Sequence, residues 1–310
     1  MSLFAALAIA TSAAGLQASV ANDPIVVEGR NPRDRAADYV DKVLPASFGG
    51  QFGRYEHPLC PKAIGVSGAL ARDVTDRIRR VATASDIEVA GETCEPNLIV
   101  IAAPDKKAMI GALQKSRPLY VKGVGVEALE RLADADRPFM SWQITDVIGA
   151  DGMPVPGLGD SKATMDVVDG SSSRPGEGTD RYEGAFARAT TTVSASRLRS
   201  VVKPRVLASV VIVETGALNN VSTRQLADFA SVRAMIPTVD KHEQTPASSI
   251  LALFNAGLTP ESAPQSVTWW DVAFLKSLTN TRSDHFANVQ KNEIRHQMVK
   301  EMEKAPVEQR

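Results

Sequence analysis

The clearest pattern in the chain is an apolar stripe at helical spacing between residues 67 and 85. Leu70, Val74, Ile78 and Val81 recur every three or four positions, which places them on one face of a helix. Ser67 stands just before this stripe, where its hydroxyl can accept a hydrogen bond from an unpaired N–H group of the first turn. We therefore expect a helix over residues 67–85 with Ser67 at its N-cap.

Six further segments carry helical signals. A capping box, Ser222-x-x-Gln225, opens one of them, and Thr268-x-x-Asp271 opens another. The predicted helices cover residues 32–44, 104–115, 125–135, 222–236, a segment that begins at Thr268, and 284–304.

Strands are predicted where apolar runs are short or alternate. Residues 97–103 form a continuous apolar run, which is typical of a strand covered on both faces. Residues 139–148 alternate and end in Gly149-Ala150-Asp151-Gly152, a sequence that favours a hairpin-type turn. Residues 187–194 and 205–214 predict a strand pair that turns near Lys203-Pro204.

The order of these elements predicts an α+β fold. Helices alternate with strands in the first half, and a strand pair is followed by helices in the second. We expect a mixed sheet with helices packed on it and a C-terminal helical segment. Residues 153–184 are rich in Gly, Ser, Pro and Asp and predict a flexible loop or linker. It separates a first half, 22–152, from a second, 185–310, and the two form either separate domains or one domain.

The N-terminal pattern predicts export. An uncharged apolar run from Leu3 to Leu16 is followed by small residues at Ser19 and Ala21, an order typical of a cleaved signal peptide. We expect residues 1–21 to be a signal peptide, with cleavage near Ala21 and a periplasmic or secreted mature protein. The alternative is a buried N-terminal helix.

Charge and hydropathy narrow the classes of partner. The chain has 35 basic and 36 acidic residues, a formal net charge of −1, and no long block of one sign. A nucleic-acid partner is therefore not expected. After Ala21 no apolar run is long enough to cross a bilayer, so we do not expect an integral membrane protein.

The only two cysteines, Cys60 and Cys94, predict one disulfide if the chain matures in an oxidising compartment. Two thiols without a CxxC motif complete neither a redox pair nor a tetrahedral zinc site. The alternative is two buried free thiols, which gains weight only if the chain is not exported.

Two serines lie in motifs that approach those of hydrolases. Gly65-Val66-Ser67-Gly68-Ala69 resembles the GxSxG nucleophile elbow but ends in Ala69, and no good strand precedes it. Ser200-x-x-Lys203 matches the SxxK motif of penicillin-recognising enzymes, yet Pro204 follows at once and no KTG occurs. We therefore favour a helix cap for Ser67 and a chance match for Ser200.

The remaining candidate groups do not form a recognisable site. The Gly-rich loop at 47–53 lacks the GK[ST] of a phosphate-binding loop, and HExxH does not occur. Trp269-Trp270 is more typical of a helix core than of a ligand platform. We predict no metal ligands, cofactor or catalytic residues, and this includes all four histidines: His57, His242, His285 and His296.

Several fragments occur together along the chain: Cys60-Pro61, Cys94-x-Pro96-Asn97-Leu98, Trp142-Gln143, residues 226–234 and Trp270-Asp271-x-x-x-Leu275. In combination they resemble a family of uncharacterised exported bacterial proteins. The resemblance covers most of the mature chain but implies no chemistry.

The C-terminal half is also distantly similar to a zincin-like domain of unknown function. In that domain a helix after a strand begins with His-Glu-Glu, and a later Ser-Ile precedes a Thr-x-x-Asp helix. The resemblance places Ala227 at the histidine position and Asp228 at the first glutamate position. Because Ala227 cannot bind a metal, the resemblance implies a zincin scaffold whose zinc site is lost.

These observations predict a non-enzymatic exported envelope protein that binds an envelope partner or ligand, or supports a structure. The alternative is a hydrolase of cell-envelope substrates that acts through Ser67, Ser200 or carboxylates brought together only by the fold.

Overall fold

A computed structural model describes residues 31–44, 50–121, 124–155, 198–237 and 245–304. These residues form seven α-helices and five strands, together with 3-10 turns at Pro118–Tyr120, Thr215–Leu218 and Ile250–Phe254. The helices are α1 (Pro32–Val43), α2 (Gly68–Ala84), α3 (Lys106–Ser116), α4 (Val126–Asp134), α5 (Thr223–Met235), α6 (Trp269–Asn280) and α7 (Ala287–Glu303). The strands are β1 (Arg54–Tyr55), β2 (Pro61–Ile64), β3 (Leu98–Ala103), β4 (Phe139–Gly149) and β5 (Val202–Glu214).

Strand β5 organises the sheet. One of its edges pairs antiparallel with β4 from Val202 to Val213. Its other edge pairs parallel with β1 near the start of β5 and with β3 further along, and β2 pairs parallel with β3. The sheet is therefore mixed, and the predicted α+β class is confirmed.

Both faces of the sheet are covered, because alternate residues of the central strands enter two separate cores. Leu98 and Val211 contact a core built with α1, α2, α5, α6 and α7. Ile99 and Val210 point the other way, into a core built with α3 and α4. The continuous apolar run of β3 reflects this burial on both faces, as the sequence predicts.

The helix-start signals are confirmed. Ser67 caps α2 by accepting a hydrogen bond from Leu70 N, and Ser222 and Gln225 form the reciprocal bonds of a capping box at α5. Thr268 and Asp271 form the same arrangement at α6. These bonds satisfy N–H groups that have no partner within the helix, which is why a local sequence pattern can locate them.

The predicted turn near Lys203-Pro204 is wrong. Both residues lie inside β5, and Pro204 pairs with Val147 of β4. A proline removes one ladder donor but is tolerated close to the start of a strand, and Pro204 is the third residue of β5. The antiparallel partner of β5 is thus β4, which lies earlier in the chain.

The turn after β4 is confirmed as a hairpin-type turn. Gly149 N donates to Met153 O at 2.8 Å, and Ile148 forms an antiparallel bridge with Pro154. Gly152 has a φ of +87°, a conformation that glycine adopts without strain.

Several predicted features lie outside the described residues. They are the signal peptide at 1–21, most of the linker at 153–184, the strand at 187–194, the start of the loop at 47–53, and His242. None of the described helices has the length and apolarity needed to cross a membrane.

Candidate functional site

The two serines considered as nucleophiles both have local structural roles. Ser67 Oγ lies 3.4 Å from Leu70 N as the cap of α2. Ser200 is buried, and its Oγ accepts a hydrogen bond from Val202 N at 3.2 Å. Lys203 does not serve Ser200, because its Nζ contacts Glu56 Oε2 at 3.0 Å.

The two positions that the predicted zincin-like resemblance involves lie in the helical core. Ala227 and Asp228 on α5 are both fully buried. The Asp228 carboxylate accepts hydrogen bonds from Arg77 Nε at 2.5 Å and Arg77 Nη2 at 2.9 Å, and a third from Val267 N at 2.7 Å. This pairing raises the pKa of Arg77, chiefly through the hydrogen bond to Asp228. Asp228 therefore joins α2, α5 and the segment before α6.

No hydrogen bond joins any two of the described histidines. His57 contacts Arg205, with 3.3 Å between Nε2 and Nη1, and His285 Nδ1 lies 2.6 Å from Glu293 Oε1. His296 is exposed on α7. Within the described ranges, no group of three or more His, Cys, Asp or Glu side chains is arranged to hold a metal ion.

The tryptophan pair belongs to the core and its border. Trp270 is buried and stacks on Tyr39 with ring centroids 6.0 Å apart, while Trp269 Nε1 donates to Glu301 O at 3.2 Å. Neither ring forms an open platform, in agreement with the interpretation of this pair as part of a helix core.

Cys60 and Cys94 form the predicted disulfide, with Cα atoms 6.0 Å apart. The Asn97 side chain fixes the same corner, because Cys60 N donates to its Oδ1 at 2.7 Å and its Nδ2 donates to Pro58 O at 3.1 Å. The bridge thus ties the entry of β2 to the segment that leads into β3.

A buried carboxylate network lies under α6. Asp271 Oδ1 accepts hydrogen bonds from Tyr39 Oη at 2.7 Å and Ser249 Oγ at 2.5 Å. Asp271 Oδ2 accepts from Ile250 N at 3.0 Å and from Thr268 N at 2.8 Å. Burial raises the pKa of Asp271, although these hydrogen bonds oppose the shift. The sequence predicts only the capping part of this network.

An open cavity of about 450 Å³ lies beside the start of the sheet. Residues 54–56, on and just after β1, form one side of it, together with Lys203 of β5. Residues 278–284, which include the end of α6, form another side, and Met235 and Ile87 add apolar surface. The walls therefore come from segments that are distant in sequence.

Arg54 is the unusual residue of this cavity. Arg54 is only 9% exposed. Its Nε and Nη2 atoms are both buried and have no hydrogen-bond partner among the described residues. Burial lowers the pKa of Arg54 to about 10, against the opposing effect of Glu56, Glu293 and Asp284. The guanidinium is therefore charged at neutral pH, although it is largely removed from water.

The other charged groups of the cavity are already paired. Lys203 contacts Glu56, and Asp284 accepts from Arg199 Nε at 2.7 Å and from Arg282 Nε at 3.3 Å. Burial raises the pKa of Asp284, but the hydrogen bonds from Arg282 and Arg199 outweigh it and lower the pKa overall. Among the described residues, Arg54 is thus the cavity cation without an ion-pair partner.

Sequence patterns do not indicate this site. Arg54 follows the Gly-rich loop at 47–53 in a two-residue strand, too short for any periodicity to be visible. Its neighbours in the cavity come from β5 and the end of α6, so only the folded chain brings them together.

No protein-family model, curated protein or solved structure matches the chain. The resemblances to an exported family and to a zincin-like domain therefore stay predictions.

Proposed function

We propose that the chain is an exported protein with a non-enzymatic binding role in the periplasm or outside the cell. The observation that carries this proposal is the open cavity beside β1, where a buried arginine lacks a partner. A preformed concave site with a few polar groups at fixed positions is the usual form of a small-molecule binding site.

The disulfide supports the export part of the proposal. Disulfides persist in oxidising compartments and are rare in the cytosol of mesophiles. The Cys60–Cys94 bridge lies in a well-formed corner of the sheet, where Asn97 holds the backbone on both sides. It therefore serves as a structural cross-link.

The positions of Ser67 and Ser200 support a binding role over hydrolysis. A serine nucleophile needs a base within hydrogen-bond reach. The described contacts of both hydroxyls are instead with backbone N–H groups of their own segments.

Subcellular fractionation with N-terminal sequencing tests the export proposal. We expect mature protein in the periplasm or medium, with an N-terminus near residue 22 and no free thiol after denaturation. Full-length protein confined to the cytosol with two free thiols would contradict it.

An assay of the mature protein on cell-envelope esters, amides and glycans tests the non-enzymatic part. We expect no turnover. Turnover that is lost in Ser67→Ala or Ser200→Ala, with folding retained, would establish the hydrolase alternative.

A further inference from the structure

We propose that the cavity beside β1 binds a small organic molecule through a single carboxylate group, which Arg54 receives. This inference rests on the proposed binding role and specifies its ligand class. Three observations carry it: the unsatisfied Arg54 guanidinium, the charge balance of the cavity, and the mixed polarity of the walls.

The buried guanidinium needs an acceptor. Two of its nitrogens, Nε and Nη2, are removed from water and donate no hydrogen bond to any described residue. Leaving charged donors buried and unsatisfied is costly, so natural proteins keep such groups mainly where a ligand or ion completes them. Both nitrogens are closed to solvent, so the Arg54 side chain has to turn towards the cavity opening before a planar oxyanion can accept two parallel N–H bonds from the guanidinium fork.

The charge balance favours a monoanion. Three cations (Arg54, Lys203 and Arg282) and two carboxylates (Glu56 and Asp284) line the cavity, which gives the lining a net charge of +1. A carboxylate carries the matching single charge. A phosphate dianion would add a second negative charge close to Glu56 and Asp284, and like charges at short range repel.

The walls indicate the rest of the ligand. Ile87, Met235 and Leu278 offer apolar surface, while residues 279–283 add hydroxyl and amide groups. The volume of about 450 Å³ lies within the range of small-molecule sites. We therefore expect a carboxylate attached to a partly apolar body.

Calorimetric titration of the mature protein with sodium benzoate tests the inference directly. Benzamide has the same shape without the charge, and inorganic phosphate supplies an oxyanion of higher charge. We expect saturable benzoate binding with a Kd of about 1 mM or below. Benzamide and phosphate should each bind at least about tenfold more weakly, because one lacks the charge and the other carries too much.

Three variants locate the site. Arg54→Met should weaken benzoate binding by more than about tenfold, and Arg54→Lys should weaken it less because it keeps the charge without the planar fork. The control is Arg295→Met. Arg295 lies on α7 and pairs with Asp41 of α1, so its replacement should leave benzoate affinity unchanged. Arg54→Met should also unfold at the same urea concentration as the wild type or a higher one, because it removes a buried charge whose guanidinium forms no ion pair with a described residue.

Equal affinity for benzoate and benzamide would overturn the inference, as would tighter binding of phosphate or unchanged benzoate binding in Arg54→Met. The wild-type comparison among the three probes stands even if a variant fails to fold. Absence of benzoate binding by a correctly exported protein overturns only the ligand class. Cytosolic retention of a protein that binds benzoate overturns only the export proposal.

Discussion

Replacement of Asp228 by asparagine tests the structural role of its buried carboxylate. In the folded chain its carboxylate is fully buried and accepts two hydrogen bonds from Arg77 and one from Val267 N. Asparagine keeps the size of the side chain but loses the charge and one of the acceptor oxygens.

The expected cost follows from the burial of the pair. Removal of one partner from a buried ion pair typically costs about 3–5 kcal/mol, since the other charge is left uncompensated. The Arg77 side chain is 24% exposed and keeps some contact with water. We therefore expect Asp228→Asn to lower the free energy of unfolding by about 3 kcal/mol, at the low end of that range.

Urea unfolding of Asp228→Asn, Arg77→Met and the double variant measures this energy and the coupling between the two residues. The double variant should be less destabilised than the sum of the single ones, by about 2 kcal/mol. Asp134→Asn is the control. It breaks a contact of similar length, 2.7 Å to Lys107, in which both side chains are more than 60% exposed. Its unfolding midpoint should equal that of the wild type.

A loss below about 1 kcal/mol in Asp228→Asn, or additive effects of the two single variants, would refute the assignment. Asp228 would then be available for chemistry that this packing does not explain.

Three further variants probe other features. Gly65→Ala should cost more than about 2 kcal/mol in thermal unfolding, because Gly65 has a φ of +82° and an added Cβ would lie 1.9 Å from Ala102 O. Replacement of Cys60 and Cys94 by serine should lower the free energy of unfolding by about 4 kcal/mol, since the bridge closes a loop with a sequence separation of 34. Asp271→Asn should lower it by about 3 kcal/mol at neutral pH by removing an acceptor from a buried network. Burial raises the pKa of Asp271 in the folded chain above its unfolded pKa of 3.8. Asp271 therefore stabilises the folded state most at a pH below 3.8. This stabilisation is lost as the pH rises through the folded pKa. The stability gap between wild type and Asp271→Asn should therefore narrow from acid towards neutral pH.

Controls separate these effects from general damage. Gly111→Ala in α3, where an added Cβ meets nothing within 4 Å, should equal or exceed the wild type in stability. An unchanged melting temperature in Gly65→Ala would contradict the close approach to Ala102. For the cysteines, equal stability of the oxidised wild type and the serine variant would contradict the cross-link. A gap that widens with pH would contradict the raised pKa of Asp271.

Local patterns predict the local parts of this fold. Ser222 with Gln225, and Thr268 with Asp271, place the starts of α5 and α6 correctly because the bonds they form span only three residues. The apolar run of β3 likewise indicates burial on both faces. Each of these signals depends on neighbours in the sequence.

Contacts between distant segments are not visible in this way. Pro204 favours a turn when its neighbours alone are considered, whereas β4 and β5 accommodate it within a strand. The cavity around Arg54 depends on contacts between β1, β5 and the end of α6. The surroundings of the Arg54 guanidinium depend on how the folded chain buries it, and no pattern of residue types along the sequence predicts this.

The position of β5 also has a consequence for the order in which the chain can fold. β5 is the last of the described strands along the chain, yet it lies between β3 and β4, which pair with opposite edges of it. During synthesis from the N-terminus, the strand that pairs with both β3 and β4 is therefore missing until residues 202–214 have been made. A backbone break between β4 and β5 would place β5 and its partners β3 and β4 on different fragments, so the complete sheet could form only if the two fragments associate.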